Sequence, residues 1–244
     1  EELLAKHNYY KKEFCMEYAT DVCECSRLAG DWLFGEQIPR EAIRILPNAI
    51  EIKKYHFRPQ VRQKKRSEMG VEGRIVLGNV GRYCYQKNQK FLVKAFAKAQ
   101  RKNPALFLLL MGEGELLLEL KALAKKLEIE KDVCFLGWQE HVEEYLQAMD
   151  VFCLPSVFEG LAISAVEAQA AGLPCLLSDT IDRESAVTDL VEFFPLEEEI
   201  WAERLMLCTD HFSRERRDEE MAKKGYDIRM AAGRLERFYG ESMS

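Results

Sequence analysis

The sequence predicts an α/β protein built on a Rossmann-like, doubly wound parallel sheet, and three observations carry that prediction. From residue 73 onward, short β-rich apolar runs alternate with longer stretches of helical period, as successive βαβ units do. The apolar runs are continuous rather than alternating, which suits strands buried on both faces. The chain has 244 residues, 48% of them hydrophobic and 31% charged, enough to bury one large or two modest cores.

The predicted strands are "RIVLGNVG" (74–81), "ALFLLLMG" (105–112), "VCFLGW" (133–138), "VFCLPS" (151–156) and "PCLLSD" (174–179). Between them, "NQKFLVKAFAKAQRKN", "ELLLELKALAKKLEI", "HVEEYLQAM" and "ISAVEAQAAG" read as helices. The first 72 residues read differently. A helical "LLAKHNYYKKEFCMEYA" leads through "DVCECS" to a short helix ending at "WLFG", then to a strand and turn at "AIRILPNAI" (42–50) and a polar helical connector at "HFRPQVRQKKRSEMG" (56–70). So few strands cannot close a sheet core alone. The expected plan is therefore a remnant of a preceding domain over 1–50, a connector over 51–72, a nucleotide-binding Rossmann-like domain over 73–225 and a C-terminal helix over 226–244. In that helix Ile228, Ala231, Ala232, Leu235 and Phe238 line one face that requires a partner.

A formal charge of −6 and a pI of about 5.5 argue against a broad nucleic-acid surface. No apolar run reaches the roughly 20 residues of a membrane-spanning helix and no signal-peptide core is present, so the chain reads as cytoplasmic. The eight cysteines are scattered, several inside apolar runs, and read as buried reduced thiols. Cys23 and Cys25 form a lone C-x-C, poor spacing for zinc. His7, His56, His141 and His211 are too dispersed to read as a metal or Ser/His/Asp constellation. The basic run Arg58, Arg62, Lys64, Lys65 and Arg66 reads as a solvated connector, with peripheral contact to anionic lipid headgroups at the inner membrane face as the alternative.

Ligands of an open α/β sheet bind outside the carboxyl ends of the strands, so the loops there hold the candidate site. After the first strand, "GNVGRYCYQKNQKF" brings Gly81, Arg82 and Lys87, which suit a phosphate or diphosphate and read equally as a solvated glycine turn. After the second, Gly112 and Gly114 lack a third fingerprint glycine and read more readily as a tight turn than as a phosphate cradle, with Gly112 kept among the candidate donor-binding residues. After the third, Trp138 serves either to flank a planar base or as a hydrophobic staple. After the fourth, "PSVFEGLAISAVEAQAAGLPCLLSD" sets Glu159 and Glu167 eight residues apart. A helix rises about 12 Å over eight residues, too far for an acid/base pair of carboxylates about 5 to 9.5 Å apart. The spacing suits two grips on one elongated ligand, with the helix N-terminus drawing an anion between them; a helix-stabilising Glu and a solvated Glu is the plain structural alternative.

Taken together, "GNVGRYCYQKN", "LLLMGEGEL", "VCFLGWQEHVEEYLQAMDVFCLPSVFEGLAISAVEAQAAGLPCLLSD" and "AIRILPNAIE" resemble the retaining, nucleotide-sugar-dependent glycosyltransferases of the GT-B fold, from about residue 14 to the C-terminus. The branch that builds capsular polysaccharides and exopolysaccharides is the most similar. The resemblance implies a C-terminal half that binds a UDP- or GDP-sugar and a reaction that moves a hexose to a glycan or lipid-linked acceptor. It implies a catalytic set of Arg82, Lys87 and Glu159, in which Arg82 and Lys87 hold the diphosphate and stabilise the charge developing as it leaves and Glu159 contacts the donor sugar, with Glu167 on the ribose. The backbone of Gly160, Leu161, Ala162 and Ile163, beside Ser156, would cradle the distal phosphate, and Gly137 to Val142 would border the base. No metal or other cofactor is implied. The chain departs from the family pattern at Ala162, where many relatives have Pro, and at Ala49, where many have Gly. A non-catalytic nucleotide-sugar-binding module, or half of a split enzyme, is the alternative function. A flavodoxin-like signalling domain fits poorly, because Arg82 stands where that architecture wants acidic residues.

Overall fold

The computed structural model describes residues 17–34, 38–46, 48–209 and 213–242. The first expected helix with His7 and Cys15, as well as Pro47 and His211, lies outside the described residues. Early in the chain, β1 (Val22–Glu24) and β2 (Ile43–Ile45) pair in parallel around α1 (Arg27–Phe34). A short 3-10 turn at Ile52–Tyr55 then leads into α2 (Pro59–Glu68), with Pro59 at its first position, where its missing N–H costs nothing.

Six further strands make one wholly parallel sheet: β3 (Ile75–Val80), β4 (Leu106–Met111), β5 (Val133–Phe135), β6 (Val151–Leu154), β7 (Cys175–Ser178) and β8 (Val191–Phe194). Their spatial order is β5-β4-β3-β6-β7-β8. The direction of winding reverses between β3 and β6, which places the switch-point crevice at their carboxyl ends. Five of the six strands match the predicted runs. The sixth, β8, was missed: "VEFF" is short, flanked by charge and half-exposed at the sheet edge, so it lacks the apolar signature of a central strand.

Intervening helices are α3 (Gln89–Lys102), α4 (Leu117–Lys126), α5 (Val142–Ala148), α6 (Ile163–Ala170) and α7 (Glu198–Met206). Because strand side chains alternate between faces, neighbouring residues feed separate cores. Leu77, Leu108 and Leu110 pack with Leu92 and Phe96 of α3 and with Trp201 of α7. Val76, Leu109 and Met111 pack with Leu146 of α5, Val166 of α6 and Tyr226. Each such burial stabilises the fold by about 1.5 to 3 kcal/mol, and the fully apolar strands follow from both faces being covered.

The basic run in α2 is neither solvated throughout nor spread over an open cationic face. Arg62 and Arg66 turn inward onto Asp150, at 2.5 Å and 2.9 Å, and donate to the carbonyls of Gln147, Ala148 and Met149 at the end of α5. Those carbonyls lack intrahelical partners, so the guanidiniums supply both hydrogen bonds and favourable charge. Asp150 also accepts from the Val76 amide at 2.7 Å. Lys65 pairs with Glu144 at 3.0 Å, and Lys64 stays at the surface near Glu68.

After α8 (Asp218–Lys223), the chain returns to the connector through a bridge between Ile50 and Asp227, and α9 (Ile228–Ser242) follows. Of the predicted apolar stripe, Phe238 is buried, with the Arg44 guanidinium 4.5 Å from its ring centroid. Ile228 and Leu235 remain 43% and 39% exposed, so only part of the face finds a partner among the described residues.

Candidate donor-binding site

The crevice begins where two strands part. β3 and β6 keep register only through Leu77–Val151 and Gly78–Phe152; beyond that point the Asn79 side chain bridges the gap, donating to the Cys153 carbonyl at 2.8 Å. Gln89, fully buried at the start of α3, donates to Asn79 at 3.2 Å and to the Arg82 carbonyl at 3.0 Å. A polar strut thus supports the Gly81–Lys87 loop from beneath. Two amides buried in an apolar setting are expensive unless paired; here each NH2 group finds a backbone carbonyl, while the Gln89 Oε1 is left without a partner among the described residues.

The glycines of this region set how closely backbones approach. A Cβ on Gly112 (φ +140°) would lie 2.1 Å from the Gly81 carbonyl oxygen, so the loops after β3 and β4 abut backbone to backbone. Gly112 therefore shapes the loop carrying Arg82. At Gly81 itself the Lys87 stem would stand 3.3 Å from an added Cβ, so the missing side chain lets Lys87 fold back across its own loop.

On the other side of the crevice, the loop after β6 is laced to the first. The Val157 amide donates to the Gln86 carbonyl at 2.8 Å, and the Gln86 side chain donates to the Phe158 carbonyl at 3.1 Å. Ser156 is fully buried; its carbonyl accepts from Ser178 at 2.5 Å and from Thr180 at 2.8 Å. Its hydroxyl donates to Glu159 Oε1 at 3.0 Å, and the Lys87 ammonium meets the same oxygen at 2.5 Å. Lys87, Ser156 and Glu159 therefore form one cluster, drawn from the ends of β3 and β6.

Other expected residues lie apart from it. The Arg82 side chain is 74% exposed and points to Glu115, 3.3 Å away on the next loop. Trp138, beyond β5, is 67% exposed, whereas Val142, the first residue of α5, is half-buried. Gly137, in left-handed conformation (φ +76°), accepts through its carbonyl from the Gly112 amide at 2.9 Å, tying this loop to its neighbour.

Two of the amides expected to cradle a phosphate are already engaged: Ala162 N donates to Ser185 Oγ at 3.2 Å and Ile163 N to the Leu161 carbonyl at 3.1 Å. Those of Gly160 and Leu161 remain as candidates. The Ala162–Ser185 bond also gives the departure from proline a local reason, since proline has no N–H to donate.

Glu167 sits in a different environment. Its Oε1 accepts from the Tyr55 hydroxyl at 2.6 Å. Burial pushes its carboxyl above the usual range, opposed by the Tyr55 hydrogen bond and the nearby Lys54 charge. Lys54 in turn pairs with Glu143 of α5 at 3.3 Å. The carboxylates Glu159 and Glu167 thus have separate partners and do not form a proton-sharing dyad.

Tyr55, Gln86, Gln89 and Ser185 were not singled out from the sequence. Gln89 and Asn79 left a trace as polar residues in or beside apolar runs, whereas Tyr55 comes from a distant segment and left none.

The architecture is that of a GT-B glycosyltransferase. HepE of Anabaena, solved in complex with UDP, superposes with a TM-score of 0.83 at 18% identity, over 97% of this chain and 68% of its own; sucrose-phosphate synthase of Thermosynechococcus elongatus does so at 0.75 and 19% identity, over 98% and 62%. The chain belongs to the family of glycosyl transferases group 1, whose pattern matches residues 61–202. EpsF of Bacillus subtilis is 35% identical over 231 residues, 92% of this chain and 60% of that protein. The chain thus spans about 60% of the length of this relative.

Proposed function

We propose that this chain carries the donor site of a retaining glycosyltransferase that moves a hexose from a nucleoside diphosphate sugar to a glycan or lipid-linked acceptor in polysaccharide biosynthesis. The observation that carries this reading is the meeting of Lys87 and Glu159 at the switch point, a cation and a carboxylate side by side where a diphosphate and its sugar would lie. Lys87 would neutralise the diphosphate as it departs, and Arg82, free to leave the exposed Glu115, would join it. Glu159, released from Lys87, would accept from the sugar hydroxyls, and Glu167 from the ribose. With these groups bearing the charge, no divalent metal is needed.

The relatives support the same direction. The UDP-bound form of HepE suggests a uridine nucleotide, with GDP as the other candidate. EpsF carries the designation of a glycosyltransferase, which fits a sugar-transfer reaction. We place the reaction on the cytoplasmic side, at the inner face of the membrane for a lipid-linked acceptor. Acceptor recognition and turnover would also draw on the part of the relatives that this chain does not span.

Isothermal titration with UDP, GDP and their sugar derivatives tests the reading. Binding that survives EDTA and is lost in K87A supports it. If no nucleotide binds, or if K87A and R82A leave affinity unchanged, the donor-site assignment fails.

A further inference from the structure

The linker before the large sheet reaches directly into the site. Tyr55 closes the 3-10 turn at Ile52–Tyr55 and is buried, at 7% exposure. Both its ends are fixed: the backbone carbonyl accepts from Gln147 at 3.3 Å, and the hydroxyl donates to Glu167 Oε1 at 2.6 Å. Tyr55 and Glu167 are 112 residues apart in sequence. Among the described residues the other carboxylate oxygen of Glu167, Oε2, takes no hydrogen bond.

A carboxylate on a helix has free rotation about its side-chain bonds unless something stops it, and ordering it on binding costs affinity. A hydroxyl at 2.6 Å stops it, occupying one oxygen and presenting the other. We propose that Tyr55 is a positioning residue for nucleotide recognition: it holds Glu167 so that Oε2 accepts from the ribose hydroxyls, and the linker thereby sets selectivity for ribose over 2′-deoxyribose. This rests on the assignment of Glu167 to the ribose. The neighbouring Lys54–Glu143 pair strengthens the case, because Glu143 stands in the first turn of α5, next to the Gly137–Val142 loop expected at the base, and Lys54 fixes it from the same linker turn.

The experiment is titration of the full chain with UDP and GDP, each against its 2′-deoxy counterpart, and with inorganic diphosphate as a probe that carries no ribose. The unmodified chain is expected to prefer the ribonucleotide by about tenfold, the scale of one charge-assisted hydrogen bond. Y55F keeps the buried ring and removes only the hydroxyl; it should cut that preference to about twofold and leave diphosphate affinity unchanged. E167A should abolish the preference, and Y55F/E167A should lose no more than E167A alone.

A purely structural tyrosine would weaken ribonucleotide and deoxynucleotide equally, leaving their ratio intact, and that result overturns the proposal. If E167A abolishes the preference while Y55F retains it, Tyr55 is not the positioning group although Glu167 still reads the ribose. If E167A also retains the preference, the ribose assignment itself is wrong and the proposal falls with it. Should Y55F not fold, E167Q provides the second arm: it keeps an oxygen acceptor toward Tyr55, so the proposal requires it to retain part of the preference that E167A loses.

Discussion

Lys87 and Glu159 meet ammonium to carboxylate at 2.5 Å across the point where β3 and β6 part, and both are largely withdrawn from solvent. On the proposed donor-site reading, the cation assigned to the diphosphate is neutralised within the protein, so an incoming anion would have to displace a carboxylate. E159Q removes that competitor while keeping side-chain size. Its affinity for inorganic diphosphate is expected to rise by up to about tenfold, or about 1.4 kcal/mol, while its affinity for a nucleotide sugar gains less because the grip on the sugar is weakened. Calorimetry with both ligands checks this; a fall in diphosphate affinity would mean that Glu159 holds Lys87 in place rather than competing for it.

Glu167 makes stability depend on pH with a definite sign. Burial raises its carboxyl in the folded chain, so between its unfolded and folded values the native state holds a proton that the unfolded state has released, and stability falls as pH rises through that window. Above the window an ionised, mostly buried carboxylate opposes folding. E167Q is therefore expected to raise the thermal midpoint at pH 7 and to leave it nearly unchanged at pH 3.5. Equal shifts at both values would refute the account.

Asp150 faces the guanidiniums of Arg62 and Arg66 and accepts from the Val76 amide. Arg214 lies close by, its guanidinium lowered to about 9 by burial first and by the charge of Arg62 next, while Asp150 opposes the shift. Removing the single carboxylate leaves buried like charges facing one another. D150N should cost about 3 to 5 kcal/mol, read as a lower midpoint in urea unfolding, with little change in nucleotide affinity if the protein is assayed well below that midpoint.

Thiol chemistry should divide the cysteines by depth. Cys153 and Cys175 are pushed far up by burial, and Cys208 is raised by burial to about 11; the thiolate is the reactive form. Iodoacetamide at pH 8 is expected to label Cys23, which is exposed, and to spare these three until the chain is unfolded in urea. Peptide mapping by mass spectrometry reads the outcome.

How much of this was legible in the sequence depends on range. Strands such as "LFLLLM" announce themselves, because burial on both faces leaves an unbroken apolar run. The edge strand Val191–Phe194 carries no such mark, since one margin faces water. Arg82, Lys87, Glu159 and Glu167 stood out as charges at strand ends, yet the sequence could not say that Lys87 and Glu159 would pair while Arg82 turned outward to Glu115. The Tyr55–Glu167 and Arg62–Asp150 contacts join residues that only the completed fold brings together, and neither periodicity nor local spacing encodes such contacts. The basic run in α2 misled for the same reason: its charges looked solvated because the carbonyls and carboxylate they serve lie more than eighty residues away.

The abutment of Gly81 on Gly112 bears on how such a site can diversify. With a carbonyl oxygen 2.1 Å from where a Cβ would go, no side chain can be admitted there without prising two loops apart, so the floor of the proposed diphosphate site is closed to mutation. Tyr85, Trp138 and Phe158, at 74%, 67% and 55% exposure on the surrounding loops, carry no such restriction. Descendants of this chain that acquire new sugars or acceptors would be expected to change at that aromatic rim and to inherit the glycine floor unaltered.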